Sequence, residues 1–254
     1  MIPEWAMQAL PPLPVLAALA GATFVGGLMR GFTGFGAGLL MAPVFSLLMP
    51  PTYVLVVILL LNLLTTIQML PGALRIVDWK LVLRLFLPSL LGLPLGLAML
   101  HMVDPVVMRK TVGIVVTAVA VLMLAGWHYK GRRGVLQDTA TGAVSGFMTA
   151  IAGIGGPPII LYLLSIPGLS SSVLRAVSLV YFSFAQVATL TPLTISGTLR
   201  AEHLVYVAVL LPVSAIASML GSWLHRWSVG RQQDYVRIAA LYLLLLTGLA
   251  ALVL

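Results

Sequence analysis

The sequence predicts an all-α polytopic membrane protein made of two inverted repeats, each a glycine-broken, re-entrant helical segment followed by three transmembrane helices. Three observations carry this. The chain is 61% hydrophobic and 8% charged, with a mean hydropathy of +1.12. A soluble domain carries roughly 25% charged residues, so this chain cannot cover its surface in water. Its apolar residues fall into eight segments joined by short polar links. Glycines cluster twice inside those segments, at Met29-Arg30-Gly31-Phe32-Thr33-Gly34-Phe35-Gly36-Ala37-Gly38, followed by Pro43, and at Ala152-Gly153-Ile154-Gly155-Gly156-Pro157-Pro158.

The segments run approximately 13–49, 52–74, 81–100, 106–128, 139–166, 173–196, 204–225 and 235–254. Six have the length of single spans, since a hydrocarbon core of ~30 Å takes ~20 helical residues. As one helix, 13–49 would reach ~55 Å and 139–166 ~42 Å, at ~1.5 Å per residue. Both hold a glycine cluster near the middle, where each glycine costs about 1 kcal/mol relative to alanine and proline removes a backbone donor. The expectation is that both enter the membrane, turn and come back. The first residues, Met1-Ile2-Pro3-Glu4-Trp5, carry an acid and no base, unlike a secretory signal, so the first segment is expected to be retained.

Positive charge favours a re-entrant fifth segment. With eight single crossings, Arg75, Lys80, Arg84, Lys130, Arg132, Arg133 and Arg200 oppose Arg109, Lys110, Arg175, Arg226, Arg231 and Arg237, which is no bias. If 139–166 turns back, Arg175, Arg226, Arg231 and Arg237 join the first side and only Arg109, Lys110 and Arg200 remain opposite. The positive-inside rule selects the skewed arrangement, with 75–84, 130–138 and 226–237 in the cytoplasm. The halves also resemble each other. Gly34-Phe35-Gly36 matches Gly153-Ile154-Gly155, Leu87-Pro88 matches Leu211-Pro212, Asn62 pairs with Gln186, and Leu95-Gly96 corresponds to Leu220-Gly221. One membrane domain is expected over 1–254, with repeat 1 at about 13–128 and repeat 2 at about 139–254, joined by the charged link 129–138. Broken segments at matching places in two halves point to a transporter's substrate site.

Arg30 is the sharpest chemical signal, seventeen residues into the first segment and beside the glycine break. A charge at the bilayer centre costs ~2.5–3.5 kcal/mol on insertion scales and marks a functional candidate; the competing role is an interfacial anchor. Its guanidinium fork suits sulfonate, sulfite or carboxylate oxygens. Half-helix N-termini after Gly34, Phe35, Gly36 and after Gly153, Ile154, Gly155, Gly156 would aim free N–H groups at an anion. Close helix packing is the other use of such glycines, at Gly34/Gly38, Gly142/Gly146 and Gly92/Gly96. Asn62, Thr65, Thr66 and Gln68 in the second segment have counterparts in Ser178, Ser183, Gln186 and Thr189 in the sixth, as anion ligands or as interhelical hydrogen-bond glue; Asn62 and Gln186 are the preferred pair because of their repeat relation.

Other chemistry is excluded or unsupported. There are no cysteines, hence no disulfide or thiolate. The six acids (Glu4, Asp78, Asp104, Asp138, Glu202, Asp234) and four histidines (His101, His128, His203, His225) sit at segment ends, leaving no obvious buried carboxylate. No metal, nucleotide or hydrolase motif is present, so no enzyme activity and no cofactor are expected. The net charge of +8 is scattered along the chain, as topology determinants and lipid contacts are, and nucleic acid is not a partner. Trp5, Trp79, Trp127, Trp223 and Trp227 lie where an aromatic belt would fall.

The glycine break followed by proline, its repetition as Gly153-Ile154-Gly155-Gly156-Pro157-Pro158, and Leu91-Gly92-Leu93-Pro94-Leu95-Gly96 resemble the TauE/SafE family over nearly the whole chain. Phe35 and Ala37 interrupt the fuller glycine run common at the family's first break. The resemblance implies a multi-pass protein of the cell inner membrane that exports a small sulfur-containing anion, such as sulfite or sulfoacetate, driven by an ion gradient. Its partners would be that anion and membrane lipids, with a homo-oligomer left open. A passive anion channel and a non-transporting membrane module are the alternatives.

Overall fold

A computed structural model describes residues 11–125 and 134–228. The expected eighth segment, 235–254, and the first half of the link at 129–138 lie outside the described residues. Ten helices and no strand occur among the described residues: α1 Leu13–Thr33, α2 Ala37–Leu48, α3 Pro51–Ile67, α4 Leu70–Leu74, α5 Trp79–Met102, α6 Pro105–Leu124, α7 Val135–Ala152, α8 Gly156–Leu164, α9 Ser171–Ile195 and α10 Ala201–Ser228. Each long apolar segment with a glycine cluster is thus two helices. The segment at 52–74 also divides, at Gln68–Met69. Starts follow local chemistry. Pro51 and Pro105 open α3 and α6, where a missing N–H costs nothing. Asp78 caps α5 by accepting from the Leu81 N–H (3.1 Å), and Ser170 caps α9 by accepting from the Val173 N–H (3.3 Å).

Leu13–Thr33, Trp79–Leu100, Ser171–Ile195 and Ala201–Trp227 are long and apolar enough to cross a membrane. Their patterning is inverted relative to a soluble protein. On α5, Leu83, Leu87, Leu90, Leu91 and Leu95 are exposed while Ser89, Gly92 and Gly96 are buried. Lipid is as apolar as leucine, so burial selects small residues that let backbones approach. Trp79, Trp223 and Trp227 are exposed at helix ends.

Two long helix pairs frame the bundle. α5 lies along α7, with Gly96 against the Phe147 carbonyl and Gly146 against the Ser89 carbonyl. α10 lies along α1, with Gly221 against the Leu28 carbonyl and Gly27 against that of Ser214. Residues 27 and 28 correspond to 146 and 147 at an offset of 119, and 89 and 96 to 214 and 221 at an offset of 125. The two interfaces are therefore one set of contacts with the halves exchanged. Gly92 and Gly142 are packing glycines in the same α5–α7 seam. Gly34 and Gly38 lie on either side of the break instead, so their spacing marks no common helix face.

Both glycine-broken segments fold back. A Cβ on Gly26 would sit 3.0 Å from the Ala37 carbonyl and 3.2 Å from Met41, so α2 returns along α1. The Tyr162 hydroxyl donates to Asp138, joining the last turn of α8 to the first turn of α7. Gly72 and Ile76, after α3, line one cavity with Arg175 and Arg226. At the other end of α3, the Tyr53 hydroxyl donates to Glu202 at the start of α10.

Candidate functional site

Backbone geometry at the breaks requires glycine. Gly34 and Gly36 have φ of +88° and +92°, and Gly153 has φ of +69°, a region that side-chain-bearing residues enter only at a cost. The Gly34 N–H donates to the Arg30 carbonyl (2.7 Å) and closes α1. The Thr33 hydroxyl, within 2.9 Å of the Met29 and Phe35 carbonyls, ties the turn down. At the second break the Gly153 N–H donates to the Thr149 carbonyl (2.8 Å), and the Ser145 hydroxyl donates to the Gly155 carbonyl (2.5 Å).

The two breaks touch. Gly38, in the first turn of α2, lies against the Gly153 carbonyl with no room for a Cβ. The rings of Phe35 and Phe182 stand 3.5 and 3.7 Å from where a Gly156 Cβ would be. Between them is a cavity of about 20 Å³, room for about one water molecule. Of the ten residues expected from sequence, Arg30, Phe35, Gly36, Asn62, Gly153, Ile154, Gly155, Gly156 and Gln186 line it. Gly34 does not; its Cα faces the Arg175 side chain instead.

The cavity is rich in donors, and no acid lines it among the described residues. Arg30 is 3% exposed; its guanidinium donates to the Thr66 hydroxyl, which donates in turn to the Asn62 carbonyl (2.6 Å), and its Nε has no partner. Asn62 Oδ1 and Gln186 Oε1 are buried without hydrogen bonds. Amide rotation exchanges acceptor for donor, so either can offer an N–H to an oxyanion. The first turns of α2 and α8 point their unpaired amides and positive dipole ends at the same place. Pro157 and Pro158 remove two donors from α8, so α2 supplies more of them. No carboxylate is among the lining residues, leaving the Arg30 charge for a ligand to neutralise.

Several side chains behave differently from the sequence expectation. The hydroxyls of Thr65, Ser178, Ser183 and Thr189 turn back to the carbonyl four residues earlier, at 2.7–2.8 Å. They are neither interhelical glue nor free ligands, and the local i−4 carbonyl wins because it is always within reach. Gln68 is exposed and lies away from the cavity, past Thr66 on α3. Asp138, at the start of α7 as expected of an acid at a segment end, is nonetheless 7% exposed, and Tyr162 folds back over it. His203 is likewise buried, its ring 4.1 Å from that of Tyr53.

Sequence reasoning missed Thr149 and Phe182, both in the lining. Phe182 is one turn before Gln186 on α9, so helical spacing from Gln186 would have found it. It also treated Arg175 as a topology charge alone. Arg175 Nη2 donates to the Gly31 carbonyl (2.6 Å) and to the Ser222 hydroxyl (2.9 Å), next to the first break. Among the described residues no group of three or more His, Cys, Asp or Glu is placed to hold a metal ion.

A helical bundle with lipid-compatible faces and four helices long and apolar enough to cross a membrane defines a multi-pass membrane protein, here with two broken segments in contact and a buried guanidinium between them. The chain belongs to the TauE/SafE family: the family model described as "Sulfite exporter TauE/SafE" matches residues 19–251. It is 30% identical over 228 residues, 84% of each chain, to a protein of Cupriavidus necator H16 named "Probable sulfite/organosulfonate exporter TauE". No solved structure matches the chain.

Proposed function

We propose that the protein is a secondary transporter that exports a small sulfur-containing anion, sulfite or an organosulfonate such as sulfoacetate, across the cell inner membrane. The observation that carries this reading is the cavity between the two breaks, where Arg30, Asn62, Gln186 and two helix N-termini converge with no carboxylate to satisfy them. The Cupriavidus relative's name supplies the sulfur and the direction. Substrate oxygens would take the free Nε of Arg30, an amide hydrogen from Asn62 or Gln186, and the first N–H groups of α2. Thr66 holds the Arg30 fork in place.

Access alternates in this reading because the two halves form inverted repeats around the cavity. The exchanged contact sets of α5–α7 and α10–α1 support a two-fold relation between halves. The two hairpins support inversion, since α1–α2 begins at the Glu202 end of the bundle and α7–α8 at the Arg175 end. The cavity has no room for an ion of four heavy atoms, so loading parts the two breaks, with Phe35 and Phe182 as the side chains that move.

The test is counterflow in proteoliposomes that contain the purified protein. A carrier preloaded with unlabelled sulfite accumulates labelled sulfite transiently, whereas a passive channel gives only downhill flux. Absence of any sulfur-anion flux would leave a non-transporting member of the family and remove the proposed function.

A further inference from the structure

We infer that the wide cavity at the Arg175 end of the bundle is a second oxyanion site, an antechamber on the route to the cavity beside Arg30. Its role on a transport route rests on the function proposed above, whereas its anion binding stands on the cavity alone. The cavity measures about 500 Å³, and Arg175, Arg226 and His225 line it together with Gln68, Ser172 and Ser222, with no carboxylate among the described residues that line it. Arg175 and Arg226 share one recess and repel each other, and an oxyanion relieves that repulsion while steering further anions to the mouth. Arg175 is the anchored member of the set. Its Nη2 is held by Gly31 and Ser222, and its Nε is buried without a hydrogen-bond partner.

Two helices connect this recess to the inner cavity. On α9, Ser172, Arg175 and Leu179 line the antechamber, and Phe182 and Gln186 line the inner cavity, all on one stripe at three- and four-residue spacing. Leu179 and Phe182 are separated by ~4.5 Å of helix rise. Met69, just past the end of α3, lines the outer recess and Asn62 on α3 the inner one, with the buried Thr66–Arg30 pair between them. The linings of the two cavities are therefore about one helical turn apart along α9. The Arg175 bond to the Gly31 carbonyl links the outer cation to the residue that follows Arg30.

The ligand is a small oxyanion group, and it has two candidate sources. A second opening of about 600 Å³ shares Gln68, Met69, Ser222 and Arg226 with the antechamber and carries the exposed Trp223. The phosphate of an anionic lipid would reach the same cations from that side.

The experiment is equilibrium binding of radiolabelled sulfite, and separately of inorganic sulfate, to the full-length protein in phosphatidylcholine nanodiscs. The expected result is two sulfite sites per chain. Arg226→Gln, at an exposed position, and Arg175→Lys each weaken one site roughly tenfold or more, the scale of one lost charge-assisted hydrogen bond. Arg30→Met removes the other site. One site only, abolished by Arg30→Met and unchanged by Arg226→Gln and Arg175→Lys, overturns the antechamber. Sulfate binding that depends on Arg226, without sulfite at Arg30, keeps the second site and sinks the proposed function instead. Doping the nanodiscs with phosphatidylglycerol separates the sources. Lipid that co-purifies with wild type but not with Arg226→Gln, and that displaces sulfite from this site, makes the oxyanion a headgroup and overturns the antechamber role.

Discussion

Replacing Arg30 by methionine should separate folding from binding. Arg30 is 3% exposed, has an unpartnered Nε, and lines a cavity without a carboxylate. A guanidinium so placed is expensive to keep buried, and apolar replacement of buried ionic groups is often neutral or stabilising, by about 1–4 kcal/mol. Arg30→Met should therefore melt at or above the wild-type temperature without ligand. With sulfite at ~100 times its Kd, wild type should gain ~2.7 kcal/mol, or roughly 5–10 °C at ~2–4 °C per kcal/mol for a chain of this size. Loss of one charge-assisted hydrogen bond, about 1.5–3 kcal/mol, leaves a ligand gain of only ~0.3–1.3 kcal/mol at the same concentration. The assay is a thermal melt of detergent-solubilised protein across a sulfite titration. A variant that is much less stable without ligand yet keeps the full sulfite shift would refute the reasoning, because Arg30 would then be a structural anchor.

Three further outcomes follow from the packing. Gly92→Val should cost roughly 1–3 kcal/mol by overpacking, because a Cβ there collides with the Ala143 carbonyl of α7; its melting temperature should fall while sulfite affinity in the surviving fold stays unchanged. Tyr162→Phe strips the hydroxyl from the buried Asp138 and should destabilise by about 1–3 kcal/mol, which a melt in parallel with wild type will read. The chain has no cysteine, so single cysteines report sidedness directly: in intact spheroplasts an impermeant maleimide should label Ser196→Cys and spare Gly72→Cys, and the reverse pattern would invert the charge-based orientation.

Much of the site was legible from residue chemistry because membrane burial makes polar and helix-breaking residues conspicuous. Arg30, Asn62, Gln186 and the two glycine clusters stand out against an apolar background, and nine of the ten expected residues line one cavity. Gly34 was the exception, since a turn residue and a lining residue look alike until the chain's path around it is known. The hydroxyl-rich faces of α3 and α9 misled for a related reason. A serine or threonine in a helix can satisfy itself on its own backbone, as Ser178 and Thr189 do, and composition does not distinguish that from a ligand. The missed Phe182 differs from its apolar neighbours only in where it points.

What the sequence determined by itself is the membrane class and the two breaks, both of which are local or summed properties of the residues. The tertiary structure alone decided which surfaces meet. Gly38 touching Gly153, Tyr162 folding over Asp138 and Arg175 reaching Gly31 each join residues far apart in the chain. The physical reason is that packing inside lipid has no hydrophobic contrast to announce it. Partners are chosen by shape at small residues and by the few polar groups that must find one another, and those choices exist only once the helices are in place.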